Sequence, residues 1–223
     1  AIVRRMRRDG HAVDWQAVRS AITSRTRALI INTPHNPTGT ILTARQIDQL
    51  TALTRGTNII VISDEVYEHI IFDGAQHESM ARHAELASRS FIIGSFGKTY
   101  HVTGWKVGYA VAPAELTTEF RKGDQFVTFA TNTPVQHALA DMLAQPEDLR
   151  ALAPFFQKKR DLFLRLMDGS RFRPLACRGS YFQLMDYSTI SSDEDWEFAM
   201  WLTKEHGVAS IPTSPFLTRS KAP

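Results

Sequence analysis

The sequence predicts an α/β fold: a mostly parallel sheet with flanking helices, followed by part of a smaller α+β domain. Three observations predict it. Four apolar runs of strand length alternate with helical stretches in the first part of the chain, the order that builds a parallel sheet. The first three runs are rich in Ile and Val and lack alternation, as strands covered on both faces do. From about residue 145 the pattern changes to helices mixed with short β-rich stretches, which sets the expected domain division at 1–144 and 145–223.

The strand candidates are residues 28–31, 59–62, 91–93 and 107–111. Between the first two, Thr43 and Gln46 have the spacing of a capping box, in which a hydroxyl and a side-chain amide each satisfy an orphan backbone group. Ile47 and Leu50 then recur at helical spacing, and Gly56 is positioned to stop the helix. Residues 116–143 read as helical, interrupted by Gly123 and Pro134. Across 147–167, Leu149, Leu152, Phe156, Phe163 and Met167 predict a helix with one buried stripe. The stretch 172–186 reads as β-rich and broken by Gly179, residues 191–194 cap a helix that runs to Gly207, and 208–211 reads as a strand.

Composition removes several classes. Of 223 residues, 43% are hydrophobic and 22% charged, which supplies a core and excludes disordered and fibrous chains. No apolar run approaches the roughly 18 residues of a membrane span, so no membrane partner is expected. The single cysteine, Cys177, excludes an internal disulfide, a four-cysteine zinc site and a CxxC motif. A cytoplasmic setting follows as the expectation. The net charge is +3, with Arg4, Arg5, Arg7 and Arg8 clustered at the start. These suit a solvated edge better than a nucleic-acid arm, because no aromatic platform or groove-reading motif accompanies them. Asp9 and Asp14 likewise break the pattern of a transit peptide.

The chemistry is concentrated just after the first three strands. The loops carry Asn32 to Gly39, Asp64 to Tyr67, and Ser95 to Tyr100. Ligands of open α/β sheets bind outside the carboxyl ends of the strands, so these loops can converge on one site. A phosphate loop ending in Gly97-Lys98-Thr99 fails, because the required glycine five residues before Gly97 is Ile92. His77-Glu78 opens a zinc-protease motif whose second histidine position is Ala81. No metal site is expected. The alternative left standing is a Schiff-base lysine. An aldehyde cofactor such as pyridoxal phosphate needs an amine, a carboxylate for its ring nitrogen, donors for its phenolate oxygen and groups for its phosphate. Lys98, Asp64, the pair Asn36 and Tyr67, and the pair Ser95 and Lys106 can supply these in turn, although spacing alone leaves structural roles open.

Three segments settle the resemblance. Asn36-Pro37-Thr38-Gly39, Ser63-Asp64-Glu65-Val66-Tyr67, and Ser95-Phe96-Gly97-Lys98 followed by residues 103–109 match, in order and separation, the class I/II aminotransferases of pyridoxal-phosphate fold type I. Similarity continues through Gly179-Ser180-Tyr181-Phe182 and Ala209-Ser210-Ile211-Pro212. Within the family the chain resembles the group that holds the bacterial methionine and the kynurenine aminotransferases.

The resemblance implies transamination between an amino acid (methionine, aromatic or kynurenine-like) and a 2-oxo acid, with pyridoxal 5'-phosphate as cofactor. It implies that Lys98 bonds the cofactor and moves the proton, that Asp64 pairs with the ring nitrogen, and that Asn36 and Tyr67 bind the phenolate oxygen. Ser95 and Lys106 are implied to bind phosphate, with Lys106 where many relatives have arginine. Phe129 is implied to reach toward a partner subunit in a homodimer, and Pro37 to follow a cis bond. Glu65 reads as a packing or polar partner. The same chemistry in relatives also serves β-elimination from cysteine conjugates, and the fold occurs in non-enzymatic regulators. Residues 1–144 would be the C-terminal part of the large cofactor-binding domain with the interdomain helix, and 145–223 an incomplete small domain. The matching pattern implies an internal fragment, without the N-terminal cofactor contacts or the arginine that grips the substrate carboxylate, a role for which Arg219 lies too early. The fragment alone is expected to be inactive.

Overall fold

The computed structural model describes residues 13–216. The arginine cluster at 4–8 and Arg219 lie outside the described residues. The sheet has four strands in the order β1 (Ala28–Asn32), β2 (Ile60–Asp64), β3 (Ser90–Ser95) and β4 (Gly108–Val111). The first three run parallel, and β4 pairs antiparallel to β3. The register aligns Asn32 with Asp64, Asp64 with Ile93, and Ser95 with Gly108. The carboxyl ends of β1 and β2 therefore stop at one level, β3 runs two residues further to Ser95, and the three loaded loops leave the same end of the sheet.

The flanking helices explain why these strands are apolar. Helix α1 (Trp15–Ala21) begins at Asp14, whose carboxylate accepts the Ala17 amide at 3.0 Å. Helix α2 (Ala44–Thr54) opens with the expected capping box, Gln46 Oε1 accepting the Thr43 amide at 2.9 Å, and Gly56 follows its end at φ +68°. Its buried Ile47 and Leu50 pack with Val61, Ile92, Leu42, Met80 and Leu86 into one core cluster. The short helices α3 (Ala84–Ala87) and α4 (Phe96–Thr99) bracket β3. Beyond β4 come α5 (Ala114–Val127), α6 (Thr133–Leu143), α7 (Pro146–Leu166) and α8 (Asp195–His206). A second core cluster joins Tyr67, Ile70 and Phe72 to Leu152 of α7 and to Cys177.

Several expectations are corrected. Strand β1 is not covered on both faces: it ends the sheet order among the described residues, and Ile30 is 75% exposed. Gly123 does not interrupt a helix but lies inside α5, where a Cβ would meet nothing. The break falls after Val127, and Pro134 sits in the first turn of α6, where its missing N–H costs nothing. In α7, Leu152 is buried but Phe163 is exposed, so the buried stripe is shorter than its spacing suggests. The stretch 172–186 contains only the two-residue strands β5 (Arg173–Pro174) and β6 (Met185–Asp186), which pair with each other. Residues 208–211 form no strand, and Val208 and Ile211 are exposed there. Apolar content and β-branching suit a strand, but a strand exists only with a ladder partner, and none lies among the described residues. Helix α8 does end at Gly207, at φ +67°. No helix of the described residues is long and apolar enough to cross a membrane.

Candidate active site

The first loop is shaped from β1. The Asn32 side chain donates to the Asp64 carbonyl at 3.0 Å and accepts the Asn36 amide at 2.7 Å. One side chain thus ties the loop bearing Asn36 to the strand end bearing Asp64. The bonds before Pro34 and Pro37 are cis. The turn closes through the Gly39 amide on the His35 carbonyl at 2.9 Å, with Gly39 at φ +67°. A Cβ on Gly39 would lie 2.5 Å from Cys177 Sγ, so only glycine allows that segment so close.

The second loop is anchored by Glu65. This carboxylate is fully buried and accepts from the Ser63 hydroxyl at 2.8 Å and the Met80 amide at 3.0 Å. His77 Nε2 lies 2.7 Å from its other oxygen. Burial pushes the Glu65 pKa up, but His77 and the hydrogen bonds outweigh it and hold the carboxyl below its ordinary value. Glu65 is the polar partner anticipated for it. Glu68, one turn on, takes the Tyr109 hydroxyl.

Asp64 stands in contrast. Its only side-chain hydrogen bond among the described residues comes from the Val66 amide at 3.3 Å. Burial raises its pKa, the Val66 amide lowers it, the Glu65 charge raises it again and the Lys98 charge lowers it. Asp64 and Lys98 therefore share one electrostatic environment. The Tyr67 hydroxyl is also raised, first by burial, then by its bond to Tyr181, while the Asn36 side chain acts in the opposite sense.

The third loop carries Lys98 on α4. Ser95 caps this short helix, its hydroxyl accepting the Lys98 amide at 3.3 Å. The Lys98 amine donates to the Tyr181 hydroxyl at 3.2 Å and lies 5.8 Å from the Tyr67 ring centre. Gly97 is packed against Thr103, where a Cβ would come within 2.9 Å of the Thr103 Cα. Lys106 follows the turn Thr103–Trp105 in the left-handed conformation at φ +57° and is exposed. Being two residues before Gly108, the partner of Ser95, it stands at the same end of the sheet.

The geometry thus brings together Asn36, Asp64, Tyr67 and Lys98, with Ser95 under the lysine. Lys106 shares that end of the sheet, and its amine makes no hydrogen bond within the described residues. Phe129 is 87% exposed at φ +65°, and its ring packs against none of these groups. Sequence reasoning missed Tyr181 and Asn32 as site residues. Tyr181 lay within a matched segment, but nothing in its spacing pairs it with a lysine 83 positions earlier. Asn32 could have been suspected as a polar residue ending an apolar strand.

A family model described as aminotransferase class I and II matches residues 1–222. The chain is 51% identical over 205 residues to the methionine aminotransferase of Escherichia coli, covering 92% of this chain and 53% of that protein. It is 34% identical to the kynurenine–oxoglutarate transaminase of Dictyostelium discoideum, covering 92% and 52% respectively. Among solved structures, a methionine aminotransferase from Escherichia coli superposes with TM-score 0.94 at 48% identity, covering 96% of this chain and 57% of that one. The N-succinyldiaminopimelate aminotransferase of Mycobacterium tuberculosis gives 0.89 at 37% identity, covering 95% and 55%. The chain spans about half the length of the curated relatives it matches.

Proposed function

The chain belongs to the class I and II aminotransferases, and from that premise we propose that the complete protein moves an amino group from an amino acid to a 2-oxo acid. Pyridoxal 5'-phosphate is the proposed cofactor. The observation that carries this reading is the meeting of the Lys98 amine, the Asp64 charge and the Tyr67 hydroxyl at the carboxyl end of the sheet. These groups fit the cofactor: an amine held by one hydrogen bond to the Tyr181 hydroxyl, a carboxylate with few bonds of its own, and a phenol with an amide facing it.

When bound, the cofactor supplies an electron sink for the pair left behind by the substrate's α-proton. The residues do the rest. Lys98 would hold the cofactor through its amine and, once the substrate amine has displaced it, would take up the α-proton. Asp64 holds a proton on the ring nitrogen, because an opposite charge favours the charged form. Asn36 and Tyr67 orient the phenolate oxygen, and Ser95 and Lys106 bind the phosphate. In this reading residues 1–144 belong to the large domain and 145–223 to a small domain of a cytoplasmic homodimer. The exposed Phe126 and Val127 at the end of α5 and Phe129 in the turn before α6 support a partner surface.

Methionine, aromatic amino acids or kynurenine are the proposed donors. The names of the relatives support this, as does the aromatic group of Tyr67, Phe156, Tyr181 and Phe182 beside Lys98. The test is a half-reaction with the complete, cofactor-loaded protein. Methionine or an aromatic amino acid should yield its 2-oxo acid and leave the cofactor aminated. Pyruvate and ammonia released from a cysteine conjugate, with no amination, would replace transamination by β-elimination.

A further inference from the structure

Tyr181 belongs to none of the three strand-end loops, yet its hydroxyl accepts the Lys98 amine at 3.2 Å and the Tyr67 hydroxyl at 3.5 Å. A phenol oxygen can accept through two lone pairs, so two donors from different loops converge on one atom. The rings of Tyr67 and Tyr181 stand edge to face, 5.2 Å apart and at 88°. The lysine nitrogen lies 5.8 and 5.9 Å from their centres, within cation–π reach of both. The amine thus occupies a corner of two aromatic walls with one oxygen at its apex.

That corner is held by backbone. Arg178 and Gly179 donate their amides to the Gly39 carbonyl at 2.8 and 3.1 Å, and Ser180 donates to the Ile70 carbonyl at 2.9 Å. A Cβ on Gly179 would lie 2.9 Å from that Ile70 carbonyl and from Pro34 Cβ. Ser180 is fully buried at φ +63°. Tyr181 therefore projects from a segment clamped between the Asn36 loop and the Tyr67 loop.

We propose that Tyr181 is a positioning residue whose hydroxyl holds the Lys98 amine in this corner. The amine then stays oriented for proton transfer instead of swinging free on its four-carbon stem. The proposal rests on the reading of Lys98 as the reactive amine. The charged and titratable groups facing that amine are Asp64, Tyr67 and Tyr181.

The test uses the complete protein freed of cofactor. Lysines are methylated with formaldehyde and cyanoborohydride at fixed pH, and Lys98 is quantified by mass spectrometry against the exposed Lys204. Tyr181→Phe keeps the ring and removes the oxygen. Loss of one hydrogen bond should raise Lys98 labelling roughly two- to ten-fold, with melting temperature and Lys204 labelling unchanged. Tyr181→Leu, lacking ring and oxygen, should raise it at least as much. Unchanged Lys98 labelling in either folded variant would overturn the proposal. Borohydride trapping of cofactor on Lys98 is measured separately. Altered methylation without trapping would sink the cofactor reading and leave Tyr181 its role; trapping with unaltered methylation would do the reverse.

Discussion

Replacing Asp64 by Ala separates a chemical role from a structural one, because the structure gives the two opposite magnitudes. The side chain gives up one hydrogen bond, from the Val66 amide at 3.3 Å, worth about 0.5–1.5 kcal/mol. Against this, burial raises the carboxyl's pKa in the fold. A carboxyl whose folded pKa is raised contributes stability below its unfolded pKa and loses it as pH rises through the folded value. At neutral pH the ionised Asp64 therefore works against the cofactor-free fold, and its removal offsets the lost bond. The expected stability change is within about 1 kcal/mol, of either sign. The rate should respond quite differently. Breaking a fully buried charge pair costs about 3–5 kcal/mol. Asp64 is half-buried, so about half of that, roughly 1.5–2.5 kcal/mol, is the appropriate figure. Expressed in the barrier to α-proton removal, this slows the reaction about 10- to 70-fold. The assay is single-turnover deprotonation in the complete protein at saturating cofactor, normalised to bound cofactor, beside urea denaturation of the cofactor-free form. A normal rate per loaded site, with stability reduced by several kcal/mol, would refute the reasoning and make Asp64 a strand-end cap.

Glu65→Ala should do the reverse in the cofactor-free protein, costing about 3–5 kcal/mol because His77, the Met80 amide and the Ser63 hydroxyl lose a buried partner. Since the Glu65 pKa is lowered in the fold, its contribution is present above the unfolded value and lost as pH falls through the folded one; urea midpoints measured from neutral to acid pH should show the parent losing stability that Glu65→Ala never had. Gly39→Ala should cost about 2–5 kcal/mol, combining a left-handed backbone with a clash on Cys177. Cys177→Ala in the same chain should recover the clash portion and leave the backbone portion, which denaturation of the single and double variants can separate.

The pattern of what the sequence revealed has physical causes. Strands β2 and β3 were legible from their apolar runs at 60–62 and 91–93, where buried and half-buried positions alternate; the buried Ser63 and Ser90 in the same strands carry no such signal. The polar residues at their ends stood out as candidates because ligands of open α/β sheets bind at the carboxyl ends of the strands, yet Glu65 shows that such a position also serves structure. Strand pairing is a long-range property, so residues 208–211 look like a strand in isolation and are not one. The same holds for Tyr181, whose place beside Lys98 is fixed by amides of Arg178, Gly179 and Ser180 bonding to two distant carbonyls. Backbone bonds of this kind have no side-chain signature. Gly123 misled for a local reason: a glycine weakens a helix by about 1 kcal/mol without ending it when its neighbours are strong helix formers.

The central claim is that Lys98 bonds the cofactor and Lys106 only binds its phosphate. Borohydride reduction of the complete, cofactor-loaded protein, followed by peptide mapping, tests it most directly. The account predicts the reduced cofactor on the peptide containing Lys98 and none in Lys98→Ala. Recovery of the cofactor on the peptide containing Lys106 would contradict it.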